Sequence, residues 1–279
     1  MRNYKAQYRS PRRVKIKKSV FRGRFFWPGI SALFLSGVLF YLIVFFPPFQ
    51  IKEIKITGNA AVLEESILEK IEDKINMKII NFFSRSIFLV NLREIEKNIL
   101  SDSPKLAGVR VERNFPGIIS AVVEERVGLA GWRGAGVEPE NSNNQNNKYF
   151  LIDKEGVIFE EADLAETPVK ITNRESPSDF SLGAKVIEGE LLSHILKIES
   201  NLKEKFKISV SEFLIVSRDR LNVKINEGWE AYFNPGEDMD WQLTKLVLVL
   251  EKEIPPDFRR NLEYIELRFG ERAYFKYKN

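Results

Sequence analysis

His194 is the sole histidine of the chain, and cysteine is absent. These two facts narrow the available chemistry at once. Without thiols there is no cysteine nucleophile, no disulfide and no Cys-based metal site. Zinc requires three or four nitrogen, sulfur or carboxylate ligands, and none gather around the frame Leu191-Leu192-Ser193-His194-Ile195. A lone His in a helical frame is ordinarily a surface or packing residue. The members of a Ser–His–Asp triad need not be adjacent, but no Gly-x-Ser-x-Gly elbow accompanies this His. The carboxylate pairs Glu64-Glu65, Glu124-Glu125 and Glu160-Glu161 are sequence neighbours. On a strand they point to opposite faces, and on a helix they diverge by about 100°, so they read as solvated charge. Gly131-Trp132-Arg133-Gly134-Ala135-Gly136 is rich in glycine but fits no phosphate-loop pattern. The residue types therefore point to a non-catalytic binding protein with no metal, no cofactor and no small-molecule substrate.

Binding needs a surface, and the last strand of the chain is the candidate. Tyr274-Phe275-Lys276-Tyr277 carries three aromatic rings near the end of the sequence. As an edge strand it would offer unpaired N–H and C=O groups that another chain could extend by strand addition. Tyrosine adds apolar area plus a hydroxyl, a combination common at interface hot spots. The alternative is an internal strand whose rings belong to the core. The pattern accommodates both.

The elements that must position this strand begin with the charge distribution. Residues 1–24 hold ten Lys and Arg and no acid, whereas the remaining residues hold 33 basic and 39 acidic side chains. Residues 25–46 contain no charge at all. As a helix this run would extend roughly 33 Å, against a hydrocarbon core of about 30 Å. Trp27 suits a membrane interface, and Pro47-Pro48 end the helix. The apolar run exceeds a signal-peptide core and lacks a small-residue cleavage site after it. Its length beside a tail of one sign also argues against a buried helix of a soluble domain. The cation excess assigns residues 1–24 to the cytoplasm. Topology and anionic lipid account for that cluster without nucleic acid.

Residues 49–126 read as strand, helix, helix, strand, strand. Phe49 and Ile51, then Ile54 and Ile56, alternate with a phase shift that predicts a strand with a bulge. Thr57-Gly58-Asn59 turns the chain. Leu63, Ile67, Ile71 and Ile75 mark a helical face. Asn91 is the expected N-cap of a second helix, with Glu94 three residues on, Val90 able to staple to Ile95, and Leu92, Ile95 and Ile99 as its stripe. Ser103-Pro104 closes that helix. Val109 and Val111, the turn 114–117, and then Ile119, Ala121 and Val123 predict a hairpin. Residues 133–148 are Asn-rich and read as a mobile loop. Residues 127–279 form a strand-rich unit. A hairpin flanks Asp153-Lys154-Glu155-Gly156, and a short strand holds Val169 and Ile171. A helix carries Leu191, Ile195, Ile198 and Leu202. A meander spans 213–233, and a helix runs from Trp241 to Glu253. The chain closes with strands at 262–269 and 273–278.

This order of parts resembles the FtsQ/DivIB family of bacterial cell-division proteins. Residues 49–59 (FQIKEIKITGN) look like that family's entry into its POTRA domain. Pro104 through Val111, Arg113-Asn114-Phe115-Pro116 and Val122-Val123-Glu124-Glu125-Arg126 look like its helix end and hairpin. There Arg-x-aromatic-Pro and Val-x-Glu-Arg recur. Residues 151–159 look like the hairpin opening its β domain, and Ile265-Glu266-Leu267-Arg268-Phe269 resembles its Ile-Asp-Leu-Arg-Tyr segment. Glu266, Phe269 and Asn173 depart from the usual Asp, Tyr and Gly, and the Asn-rich loop looks inserted.

The resemblance implies an α+β protein. A cytoplasmic tail (1–24) and transmembrane helix (25–46) would precede a POTRA domain of β-α-α-β-β order (49–126). A mostly antiparallel β domain with flanking helices (127–279) would follow. It further implies a non-catalytic scaffold at the division septum that links division proteins to septal peptidoglycan synthesis. The POTRA unit and membrane helix would serve recruitment. The β domain would bind single-pass partners of the FtsB/DivIC type and, through them, FtsL. The positions matching that contact are Arg268, Phe269 and Tyr277; Tyr274 and Lys276 join them by location. An extracytoplasmic hydrolase with a dispersed site and a POTRA-bearing export factor are the competing readings.

Overall fold

In a computed structural model of the chain, residues 25–79, 82–134, 149–163, 167, 169–176 and 180–278 are described. The basic tail and nearly all of the Asn-rich loop lie outside the described residues. Helix α1 (Phe26–Phe45) is followed by β1 (Glu53–Thr57), α2 (Glu64–Ile75), β2 (Met77–Ile79), β3 (Phe82–Ser84) and α3 (Leu92–Asp102). Next come β4 (Leu106–Asn114), β5 (Ile118–Glu125), β6 (Ala130–Arg133), β7 (Tyr149–Ile152), β8 (Ile158–Ala162) and β9 (Lys170–Asn173). Helix α4 (Gly189–Phe206) leads to β10 (Val210–Ser217), β11 (Arg220–Ile225) and β12 (Glu230–Phe233). Helix α5 (Met239–Leu248), β13 (Leu262–Glu266) and β14 (Tyr274–Tyr277) complete the order.

Helix α1 has 20 residues and a single buried one, Val44, and it is long and apolar enough to cross a membrane. Its residues group with Lys74–Val90 and Arg113–Ile119 in one compact unit. In that unit the chain leaving the helix makes a short 3-10 turn, Pro47–Phe49, before strand β1. The apolar phase shift expected as a bulge marks this break. Gln50 forms an isolated antiparallel bridge to Ser86, and the strand begins only at Glu53. The hairpin β2–β3 was not legible in the sequence.

The second unit comprises Ile54–Asp73, Asn91–Glu112 and Ser120–Asn279. Strands β1, β5 and β4 form a three-stranded sheet in that order. The helical faces follow their expected residues: Ile67, Ile71, Ile95 and Ile99 are fully buried. Leu63 is the exception, since it precedes α2 and is exposed. Asn91 caps α3 by accepting from the Glu94 backbone N–H at 3.4 Å. The 57–59 turn is held from the far end of the hairpin. Gly58 has φ +89°, and a Cβ there would stand 2.2 Å from the Val123 carbonyl oxygen, which as backbone cannot retreat. Only glycine meets both conditions. Two residues on, the Glu125 carboxylate accepts from the backbone N–H groups of Ala60, Ala61 and Val62 at 2.7–2.9 Å. It thereby satisfies donors that precede α2. Arg126 donates to the Pro104 carbonyl at 3.1 Å and pairs with Asp153. Asp153 in turn accepts from the Glu155 and Val157 N–H groups across the turn that ends at Gly156, φ +78°.

The remaining strands form one nine-stranded sheet, ordered β14-β13-β12-β11-β10-β9-β6-β7-β8. Pairing is antiparallel except at β9–β10, β6–β9 and β12–β13. Parallel neighbours require a crossover, which α4 supplies before β10 and α5 before β13. The buried stripe Leu192, Ile195, Ile198 and Leu202 of α4 joins Leu243, Leu246 and Leu250 in one core. Trp132, Phe213, Trp229 and Phe233 are the bulkiest side chains of that core. Strand β6 corrects the expectation of a glycine-rich lead into a loop at residue 133. Arg133 is buried in that strand, donating to Thr172 at 3.1 Å and to Glu212 at 3.1 Å. Its alternation was hidden because two of four residues are Ala and Gly. Helix α5 stops at Leu248 and continues as one π turn, Val249–Glu253. Strand β13 ends at Glu266, short of the expected 269.

Backbone hydrogen bonds, first from Val62, hold the Glu125 carboxyl below the usual glutamate range. Its stabilising contribution is present above the unfolded pKa, about 4.3, and is lost as pH falls through the lower folded value. Glu125→Ala should therefore lower stability at pH 7, by about 1 kcal/mol or less for contacts this open to solvent. Urea melts should show the difference from wild type shrinking below pH 4.

Candidate docking edge

Strand β14 is the terminal strand of the nine-stranded sheet, and all four of its residues are exposed. Its partner among the described residues is β13: Tyr277 opposite Leu262, Lys276 opposite Tyr264, Phe275 opposite Ile265 and Tyr274 opposite Glu266. Its other side carries backbone groups with no strand partner among the described residues, the feature that makes an edge a template for another chain.

Register sorts its side chains. Ile265 is opposite Phe275 and is buried in the core shared with α4 and α5. Phe275 and Tyr277 therefore lie on the helix-covered face, where their rings meet edge to face at 5.7 Å. Tyr274 and Lys276 share the opposite face with Glu266, Tyr264 and Tyr232. There Tyr232 and Tyr264 stack at 5.4 Å with an interplanar angle of 21°. Arg220 lies 4.8 Å from the Tyr232 ring centroid. Lys276 pairs with Glu263 at 2.6 Å, and that bond raises the Lys276 pKa.

Arg268 and Phe269 stand in the connection between the two strands. Arg268 grips Glu266 with two side-chain hydrogen bonds of 2.9 and 2.7 Å, and its backbone N–H adds a third of 3.1 Å. Burial would raise the Glu266 carboxyl, but the hydrogen bonds from Arg268 outweigh it and hold the carboxyl below its usual range. The guanidinium also sits 5.1 Å from the Phe269 ring, within cation–π range. Phe269 itself is 59 % exposed, the most open ring of the group. The five residues singled out in the sequence thus occupy one hairpin. Arg268 is the least open of them, committed to Glu266.

Sequence reasoning missed what holds the hairpin. Lys245, on α5, is buried, and its ammonium donates to the Leu267 carbonyl at 2.6 Å and the Gly270 carbonyl at 2.8 Å. Both acceptors lie in the connection that presents Arg268 and Phe269. Burial lowers the Lys245 pKa. A lysine in an amphipathic helix reads as solvated, and nothing local marks this one as a clamp. At the other end of the hairpin the Lys278 N–H reaches the Asn261 carbonyl at 2.7 Å. The candidate site holds no cluster fit for a metal, and none of three or more His, Asp or Glu occurs among the described residues. His194 lies half-buried on α4.

Hydrogen bonds from a charged donor are worth about 1.5–3 kcal/mol each. Lys245→Met keeps the apolar stem and removes both bonds. Amide exchange across 267–277 should accelerate by ten-fold or more relative to the β10–β11 amides. Equal protection in both proteins would show that the connection holds without the clamp.

A family profile described as "POTRA domain, FtsQ-type" matches residues 49–126. A second, "Cell division protein FtsQ/DivIB, C-terminal", matches residues 143–268. The chain is 22 % identical to a cell division protein DivIB of Brevibacillus brevis over 263 residues, covering 92 % of this chain and 84 % of that protein. It is 24 % identical to DivIB of Clostridium tetani, covering 80 % and 78 % of the two chains. A shorter match to DivIB of Clostridium acetobutylicum reaches 29 % over 123 residues, 44 % of this chain and 41 % of the other. The residues matched by the two profiles include the Gly58, Glu125 and Arg126 anchors and extend through Arg268. The chain is a member of the FtsQ/DivIB family of cell division proteins.

Proposed function

We propose that this chain is a non-catalytic, membrane-anchored scaffold of the division machinery whose C-terminal hairpin captures a single-pass division protein by strand addition. The observation that carries the reading is the terminal position of β14, with all four of its residues exposed. A strand laid against it would complete the backbone pairing of the sheet and alternate its side chains between two environments. On one face it would meet Phe275 and Tyr277, and on the other Tyr274, Lys276 and the Arg268–Phe269 connection. A segment with apolar residues on one face and acidic or polar residues on the other fits that edge. Partners of the FtsB/DivIC and FtsL type are the class that the family resemblance implies. Through them the protein would connect division components to septal peptidoglycan synthesis.

In this reading α1 is the anchor, residues 1–24 are cytoplasmic, and the POTRA domain (49–126) and β domain (127–279) are extracytoplasmic at the septum. The ten cations before α1 support that orientation.

The test uses the full-length chain and the cognate single-pass partner of its source cell, both in detergent. Tyr277→Lys replaces a half-exposed ring on the apolar face of β14 with a charge and should weaken binding at least ten-fold while the melting curve stays put. Phe275→Pro, which removes a strand donor, should abolish binding. Wild-type affinity in both folded variants would end the docking-edge reading.

A further inference from the structure

Four phenylalanine rings form a ladder that starts at the end of α1. Phe46, the residue after the helix, lies 5.6 Å from Phe49; Phe49 lies 5.1 Å from Phe88; Phe88 lies 5.4 Å from Phe115. The four come from three separated segments of the first compact unit. Three of the rings are 38–58 % exposed, and Phe115, the farthest along the ladder, is the most open. Neither strand pairing nor core packing requires them at the surface.

The segments that carry the rings are tied to the helix and to one another. The last carbonyls of a helix lack intrahelical donors, and where the protein covers them other donors must take their place. Here Ser86 Oγ donates to the Ile43 carbonyl at 2.5 Å, Ser84 Oγ to the Val44 carbonyl at 2.7 Å, and Gln50 Nε2 to the same Val44 carbonyl at 2.8 Å. Gln50 Oε1 accepts from the Arg85 N–H at 2.8 Å. The Ile51 N–H reaches the Arg85 carbonyl and the Ile87 N–H the Phe49 carbonyl, both at 2.9 Å. The 115–117 turn closes on the same strip. The Lys52 N–H donates to the Gly117 carbonyl at 2.8 Å, and a Cβ on Gly117 would come within 2.5 Å of the Gln50 carbonyl oxygen. Arg113 fixes the spacing of Phe88 and Phe115 by donating to the Ile87 and Val90 carbonyls at 2.8 and 2.6 Å.

We propose that this ladder is a lipid-binding surface that seats the membrane-proximal end of the unit in the outer interface of the bilayer. The inference rests on the reading of α1 as a membrane anchor. Continuity with the helix end favours lipid as the occupant. Aromatic rings on amphipathic surfaces bury about 5–10 Å into the headgroup–acyl boundary. The hydroxyl and amide bonds to Ile43 and Val44 would make the helix and its attached strip one body, so that the membrane holds the unit at a defined height.

The chain has no cysteine, so single-cysteine variants can be spin-labelled without background. Full-length Phe88→Cys, Phe115→Cys and Leu39→Cys, the last on an exposed position of α1, would be placed in phospholipid nanodiscs. Collision rates with oxygen and with a water-soluble nickel chelate would be compared with those of the same label on free cysteine in buffer. The inference expects labels at 88 and 115 to favour oxygen over nickel several-fold more than the free label does, with Leu39 deeper still. Phe115→Cys leaves the first three rings in place, so it carries the test if Phe88→Cys melts early. A deep Leu39 label with free-label values at 88 and 115 would overturn the lipid surface alone. A Leu39 label that behaves as free would bring down the anchor reading and the inference together. Labels at 88 and 115 shielded from both reagents would overturn the inference in favour of a protein cover.

Discussion

The parallel pairing of β13 on β12 is the constraint on which the C-terminal architecture depends. The strands β10, β11 and β12 form an antiparallel meander, and a fourth meander strand would have followed from a short turn. Instead the chain leaves β12, builds α5 and the turns after it, and returns to lie parallel to β12. A parallel neighbour cannot be reached by a two-residue hairpin, so a crossover is obligatory, and here α5 provides it. That helix covers the core with Leu243 and Leu246, and the π turn after it adds Leu250. It also brings Lys245 beneath the connection that follows β13. The final antiparallel hairpin then places β14 outermost. The crossover that completes the core thus also creates the exposed edge.

The polar contacts, buried and exposed alike, follow a related logic. A buried polar group costs free energy unless it is bonded, and this chain repeatedly uses one side chain to satisfy several backbone groups. Glu125 serves three N–H donors, Lys245 two carbonyls, Asp153 two N–H groups, and Arg113 two carbonyls. On the outer face of the large sheet, Glu212 accepts from Arg133, Thr172 and Lys224. Burial opposes ionisation of that carboxyl, and those hydrogen bonds and cations overcome it. The motifs that tie the chain to its family have the same explanation. Thr57-Gly58-Asn59 and Val122-Val123-Glu124-Glu125-Arg126 belong together because the glycine packs on the Val123 carbonyl. The acid then serves the loop that follows the glycine.

Much of this was legible without coordinates. The uncharged run, the four-residue recurrence of Ile67, Ile71 and Ile75, the Asn91 cap and the alternation in the meander are local signals. Each reflects the period of one element, so each survives without knowledge of the partner. The elements that were missed lacked such a period. Strand β6 contains Ala and Gly where side chains would reveal alternation, and β2 and β3 are three residues each. Leu63 fits the helical spacing but falls one residue before the helix begins. Tyr232 is visible in the sequence as one ring of a strand, whereas its stack on Tyr264 and its cation partner Arg220 depend on strand order.

By itself the sequence determined the kind of chain this is: an apolar span behind a basic tail, two α+β regions, and no clustered thiols or imidazoles. Composition and periodicity suffice for those conclusions because burial and hydropathy act residue by residue. Only the tertiary structure decided that β14 is an edge and that Arg133 and Lys245 are interior. It alone brought Phe46, Phe49, Phe88 and Phe115 together. Strand order, crossovers and the meeting of distant segments are set by long-range backbone pairing, and no local window of sequence contains both partners of such a pair.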